Sequence, residues 1–195
     1  MKIKLQILGL VSMAMLLITP SSANAQDKMG MKSGMGMMSS MDQKFMMMAA
    51  QGGMSEIEMA RLALQKSSND AVKQYAQKMI DDHTMAGDEL KQLASAKGVM
   101  LSMDADRQMA MMAKMQKMSS MEFDMMYVKD AGVKAHQDME KLFMRESMSG
   151  KDMEAKAFAA KTLPTVRMHL QMARELMMNM KGMKNNMSGM KSSGS

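Results

Sequence analysis

The chain has 195 residues, with 38 methionines, four phenylalanines, two tyrosines, no tryptophan and no cysteine. This is the length of one ordinary domain, and a hydrophobic fraction of 47% is enough for a core. Because Met dominates that fraction, and strands draw on β-branched and aromatic residues, the composition predicts helices rather than sheet. Zero cysteines exclude a disulfide scaffold, a thiolate metal site, a thiol nucleophile and a cysteine-borne lipid anchor. Soft-metal chemistry has only thioethers to draw on.

The first segment reads as an export signal. Lys2 and Lys4 precede an apolar run from Leu5 to Ile18, and Ala23-Asn24-Ala25 is a small-x-small cleavage site. Residues 1–25 are therefore expected to be removed, which sends the chain to a bacterial periplasm and lowers the formal charge from +6 by two lysines to +4. The run is short for a membrane span, and no later stretch approaches about 18 apolar residues, so no transmembrane segment is expected. A mild basic excess spread over Lys-rich ends, in an exported chain, gives no reason to expect a nucleic-acid partner.

Residues 26–41 mix Gly, Ser, Lys and Met without a helical or strand period and read as a flexible leader. Ser40 with Gln43 forms a capping-box pattern. Met46, Ala50, Gly53, Ile57, Ala60 and Leu64 then recur at spacings of four and three, which predicts a helix over about 41–66. Ser67-Ser68-Asn69 supplies a tight connection with an N-cap. The seam continues through Val72, Ala76, Met79, His83, Ala86, Leu90 and Leu93 to a stop at Gly98.

Residues 99–120 read as a crossover helix capped by Ser102, with Met109, Met112, Met115 and Met118 forming a sulfur ridge. Ser119 and Glu122 make a second capping box. The following helix carries Phe123, Met126, Val133, His136, Glu140 and Phe143 on a less regular apolar face and ends at Ser149-Gly150. The last helix places Ala155, Ala159, Thr162, Val166, His169, Ala173, Leu176 and Met180 in register and is expected to close at Gly182, with Pro164 kinking or splitting it. A flexible Met-rich tail over 182–195 completes the chain. Residues 42–181 thus read as an all-α, ferritin-like four-helix bundle, two antiparallel hairpins joined by a crossover helix.

Phe45, Ala49-Ala50, Gly53, Glu56 with Glu58, Leu62-Ala63, the run Ala76–His83, Leu90, Phe123-Asp124, His136, Leu163-Pro164 and His169-Leu170 together resemble a family of exported bacterial proteins. That family is a domain of unknown function, described as ferritin-like and common in periplasms or associated with the outer membrane. The resemblance covers roughly residues 42–180. It implies a fold and a compartment, and no activity.

His83, His136 and His169 lie on the apolar seams of three different helices. A ring buried among Met, Val and Leu needs partners for its nitrogens. Hairpin arithmetic puts Glu56 near His83, Glu140 on the face of His136, and Asp130 level with His169. A di-iron site needs Glu-x-x-His units, but the residues three before the histidines are Ile80, Val133 and Val166, so no di-iron centre is expected. The same arithmetic separates His136 from His169 by about 9 Å along the axis, unless a kink at Pro164 closes the gap. Each histidine is then either a polar pin bonded to a carboxylate or part of a transition-metal site with Glu56.

The methionines divide by context. Met46, Met79, Met126, Met139 and Met172 sit in amphipathic helices, where Met fills space. Met29, Met31, Met35, Met37, Met38 and Met41 in the leader, and Met183, Met187 and Met190 in the tail, have Gly/Ser/Lys surroundings that do not bury them. Thioethers are soft, neutral donors that select Cu(I) and, by the same softness, Ag(I). Such stretches resemble the Met-rich segments of periplasmic copper-handling proteins. Oxidant scavenging and unselected composition are the competing readings.

No nucleophile elbow, phosphate loop or zinc-protease motif occurs, and the chain is read as a non-enzyme. The expected function is binding or buffering of Cu(I) or Ag(I) in the periplasm through the Met-rich ends. The alternatives are a structural or stress-related bundle without metal and an internal His/carboxylate metal site. The sequence names no protein partner.

Overall fold

The computed structural model describes residues 38–101 and 106–192, with side chains for 38–101 and 111–182. The expected export segment and Met29, Met31, Met35 and Met37 lie outside them. Among the described residues all regular structure is helical: α1 (Ser40–Lys66), α2 (Asp70–Ala96), α3 (Asp106–Gln116), α4 (Ser120–Met126), a π-helical segment (Tyr127–Lys134), α5 (Ala135–Ser149) and α6 (Met153–Ser192). None of these helices is long and apolar enough to cross a membrane.

Local chemistry explains most of the boundaries. The cap of α1 is Ser39, one residue earlier than expected, and its hydroxyl accepts from the Asp42 N–H at 3.2 Å. Gln43 reaches back to the Met38 carbonyl at 2.9 Å, which helps hold Met38 against the core. Met38 and Met41 are both half-buried rather than free in a leader. Asn69 caps α2 by accepting from Ala71 N–H at 3.0 Å. α2 ends in a Schellman arrangement: Gly98 takes φ +67°, where a side chain would be strained, and Val99 N–H donates to Ala94 O at 2.8 Å. Ser119 and Glu122 form the expected reciprocal capping box on α4.

Two expectations are corrected and a third is narrowed. The crossover helix α3 stops at Gln116, and its methionines do not stand as an open ridge: Met115 is fully buried, and Met112 and Met118 pack against the core. Pro164 sits inside one continuous α6 and does not split it. Nor does Gly182 close that helix, whose backbone runs on to Ser192, so Met183, Met187 and Met190 belong to its last turns.

α1 packs along α2 and α5 along α6, while α2 meets α6 and α1 meets α5. Two apolar clusters result. One gathers Met59, Tyr75, Met79, Met115, Phe123 and Tyr127, and the other Phe45, Leu90, Phe143, Phe158 and Val166. On each contributing helix a polar residue lies between positions of the two clusters: Glu56 on α1, His83 on α2, His136 on α5 and His169 on α6. The polar layer they form interrupts the core.

A second buried polar group ties the α5–α6 turn to α1. Asp42, wholly buried, accepts the Lys151 and Asp152 N–H groups at 2.9 and 3.0 Å, and Glu146 packs beside it. A Cβ at Gly150 would press on Glu146, so the turn closes only over glycine. Burial, then the Asp42 carboxylate, push the Glu146 pKa up to about 7. Burial alone would raise that of Asp42 too, but the turn amides and the Ser39 hydroxyl outweigh it and hold the pKa low. The two therefore share one proton near neutrality. With its pKa raised on folding, Glu146 contributes stability that is full below its unfolded value of 4.5 and is lost as pH rises through about 7. Asp42 has the opposite sign and loses its contribution only in stronger acid. Glu146→Gln keeps a donor toward Asp42 without the titration. Its melting temperature should exceed that of the parent at pH 8 and match it near pH 5; an equal offset at both pH values would contradict the shared proton.

Candidate metal centre

The three seam histidines converge. Their ring centroids lie 5.6 Å (His83–His136), 5.3 Å (His83–His169) and 5.2 Å (His136–His169) apart. One ligand atom from each falls within 4.8 Å of the others. The expected axial gap between His136 and His169 is absent, because the connection lies at residues 150–152 rather than around 149, which shifts the pairing of α5 with α6. The π segment precedes His136, on the far side from that turn.

Two of the rings, His136 and His169, are tied at an outer nitrogen. His136 Nδ1 lies 3.1 Å from the Ala131 carbonyl, and His169 Nε2 lies 2.7 Å from Asp82 Oδ2. Asp82 is held in turn by Lys78 at 2.9 Å. A carbonyl and a carboxylate only accept, so both outer nitrogens carry the proton. Consequently the inner nitrogens, His136 Nε2 and His169 Nδ1, are lone-pair atoms in the neutral rings, and they face each other at 3.3 Å. Glu56 closes the third side. Its Oε2 lies 2.8 Å from His83 Nε2 and its Oε1 3.4 Å from His136 Nδ1.

The electrostatics follow from burial and neighbours. Burial of Glu56 would raise its pKa, yet the adjacent His136 and His83 bring it below the ordinary carboxylate value. Burial lowers that of His83, and the Glu56 carboxylate more than compensates, for a net rise. In His169 burial wins, helped by repulsion from the other two rings, and the pKa falls to about 4 despite Asp82. The His169 ring is therefore neutral at pH 7. Tyr75 and Tyr127 bury unpartnered hydroxyls, and the charge of Glu56 adds to burial in raising both of their pKa values.

Sequence reasoning located Glu56 beside His83 and placed the three histidines on the core faces. It missed Asp82, which takes the partner role assigned to Asp130. It also misassigned Glu140, which pairs with Arg167 at 2.8 Å rather than with His136. The i, i+4 pairing of Lys78 with Asp82, directly before His83, is the signal that could have found Asp82. Of the methionines proposed as ligands, Met38 and Met41 are half-buried at the start of α1, away from this centre in the chain. The side chains of Met183, Met187 and Met190 lie outside the described ones.

Two clefts of about 520 Å³ each reach Glu56. One also touches His83 and is walled by Leu90, Leu101, Phe143 and Phe158. The other opens between α1, α3 and the π segment with α5. Gly52 serves close approach, since a Cβ there would overlap the Met139 methyl; at Gly53, where the same was expected, a Cβ would make only an ordinary 3.6 Å contact with the His83 ring.

Among known families, the profile of Domain of unknown function (DUF4142) matches residues 28–176. The chain belongs to this family. The match spans all four polar-layer residues, so the candidate centre lies within the family domain. No curated protein and no solved structure matches the chain.

Proposed function

We propose that this chain is an exported, non-enzymatic metal-binding protein whose α1–α2 and α5–α6 hairpins, joined through α3 and α4, form a ferritin-like four-helix bundle around one transition-metal site. His83, His136 and His169 would supply imidazole nitrogens and Glu56 a carboxylate oxygen, a donor set suited to zinc, copper, cobalt or nickel. The observation that carries the reading is the pair of inward nitrogens. With both outer nitrogens committed as donors, two lone pairs face each other across 3.3 Å in the dry core. Something positive must lie between them: a proton, making a buried imidazolium against Glu56, or a metal ion.

Two features favour the ion. Ring nitrogens at about 2.0–2.1 Å from one tetrahedral ion are separated by about 3.3 Å. Metal-bound histidines donate their other N–H to a carbonyl or carboxylate, as His136 and His169 do. A single carboxylate at the centre suits one ion rather than a di-iron pair.

The Met-rich ends fit the same role, holding Cu(I) or Ag(I) in a compartment where thiolates would be oxidised. That part rests on composition. Protein isolated from the periplasm of an expression host, stripped of metal and titrated with Co(II), should bind one ion per chain with the visible bands of a four-coordinate site. Replacing the nine leader and tail methionines with Leu should leave this ion in place and lower the Cu(I) stoichiometry. Failure to bind Co(II) would reject the internal site in favour of the imidazolium, and unchanged Cu(I) stoichiometry would reject the ends as ligands.

A further inference from the structure

The two clefts that reach Glu56 differ in chemistry. Four methionines, Met48, Met59, Met111 and Met139, line the one between α1, α3 and the π segment with α5. Met48 and Met111 stand at its outer side, 42% and 38% exposed. Met139 is half-buried, and Met59 is buried at 2% exposure. The series thus passes from solvent to the carboxylate of the histidine centre. Its other walls carry Asp130 and Asp138, whose charges favour a cation, with Lys134 opposing them. The second cleft, equal in volume, has Met54 and Met139 among mainly aliphatic and aromatic walls.

Packing accounts for Met59 but not for this arrangement. Two long apolar side chains from different helices are left about 40% exposed at one opening. Between them and the centre, the notch at Gly52 receives the thioether end of Met139, a position that any larger residue on α1 would fill.

We infer that this cleft is a Cu(I)-conducting site, in which the thioethers of Met48, Met111 and Met139 take up the ion from solvent and pass it to the imidazoles beside Glu56. The inference rests on the metal-site reading above and adds the identity of the ion and its route. Thioether sulfur binds Cu(I) without losing a proton, and it discriminates against the harder divalent ions that imidazoles also accept. Passage is ligand exchange: Cu–S bonds break as the ion passes Glu56, the one residue of the centre that lines the cleft, and Cu–N bonds form; the copper stays Cu(I), no electron moves, and the proton held among the imidazoles of the metal-free centre is released to solvent. The single positive charge moves toward the Glu56 carboxylate, whose burial makes that attraction strong.

The test uses the full-length exported protein and a variant carrying Met48→Leu, Met111→Leu and Met139→Leu, which conserves volume and removes sulfur. Cu(I) is supplied as its bicinchoninate complex and uptake is followed by loss of the chelate colour; Co(II) uptake is followed separately. A Met85→Leu, Met178→Leu variant, altered at exposed methionines outside the cleft, is the control. The cleft variant should load Cu(I) at least tenfold more slowly than the parent and the control, with Co(II) binding unchanged. Equal Cu(I) rates would overturn the route while leaving the metal site standing. Parallel loss of Co(II) binding would overturn it as well, because the substitutions would then act on the centre itself. A parent protein that binds neither ion would reject the metal site and the route with it.

Discussion

His136→Ala is expected to abolish tight metal binding by the full-length protein, lowering affinity more than 100-fold. The ring is the midpoint of the centre: it faces His169 through Nε2 and lies beside Glu56 through Nδ1. Altering a residue that merely orients a metal-bound histidine typically costs about 10–100-fold in affinity, so losing a ligand should cost more. Asp82→Asn supplies that comparison. Asp82 holds His169 at 2.7 Å without lining the centre, and the amide should lower affinity within that smaller range. Isothermal titration with Co(II) or Zn(II) separates the two effects. If His136→Ala bound metal as tightly as the parent, the three-histidine assignment would be wrong. Truncation also leaves a cavity at a buried position, so some loss of stability is expected in the metal-free protein.

Gly132→Val should destabilise the fold and weaken metal binding together. Gly132 lies one turn before His136, and Ala173 one turn after His169. A Cβ at Gly132 would stand 2.8 Å from the Ala173 Cβ and 3.4 Å from the Tyr75 hydroxyl. The π segment and α6 must therefore part to admit a side chain. Overpacking of this kind costs about 1–3 kcal/mol, and the same movement draws His136 away from His169. Urea unfolding of the metal-free variant measures the first effect and Co(II) titration the second. Unchanged stability would mean that the contact relaxes freely. Lost stability with unchanged affinity would mean that the centre does not depend on this helix approach.

Much of the fold was legible because its signals are local. Asn69, Gly98, the Ser119–Glu122 box and Gly150 all mark helix ends by chemistry confined to a few residues. The heptad of α6 was readable from Ala155 to Met180 because helical spacing persists through Pro164. The π segment was not legible, since no residue type specifies it. Its only trace was an irregular apolar face between Phe123 and Phe143, where Tyr127, Val128, Ala131 and Gly132 are the buried positions.

Tertiary placement, above all the position of the α5–α6 turn, governs the rest. Regular helix arithmetic kept His136 apart from His169, assigned Asp130 to His169, and paired Glu140 with His136. Glu56 was placed correctly beside His83 because both lie on the regular α1–α2 hairpin. For methionine, composition described the chain ends but not the cleft, where Met48, Met111 and Met139 come together from three helices remote in sequence. Only tertiary contact reveals that grouping.

X-ray absorption at the metal edge of the full-length protein, loaded with one equivalent of Zn(II), reads the donor atoms of the centre. The three histidines and Glu56 should give a first shell of nitrogen and oxygen at about 2.0–2.1 Å, with the outer-shell scattering of three imidazole rings. A first shell dominated by sulfur, or one lacking imidazole scattering, would contradict it.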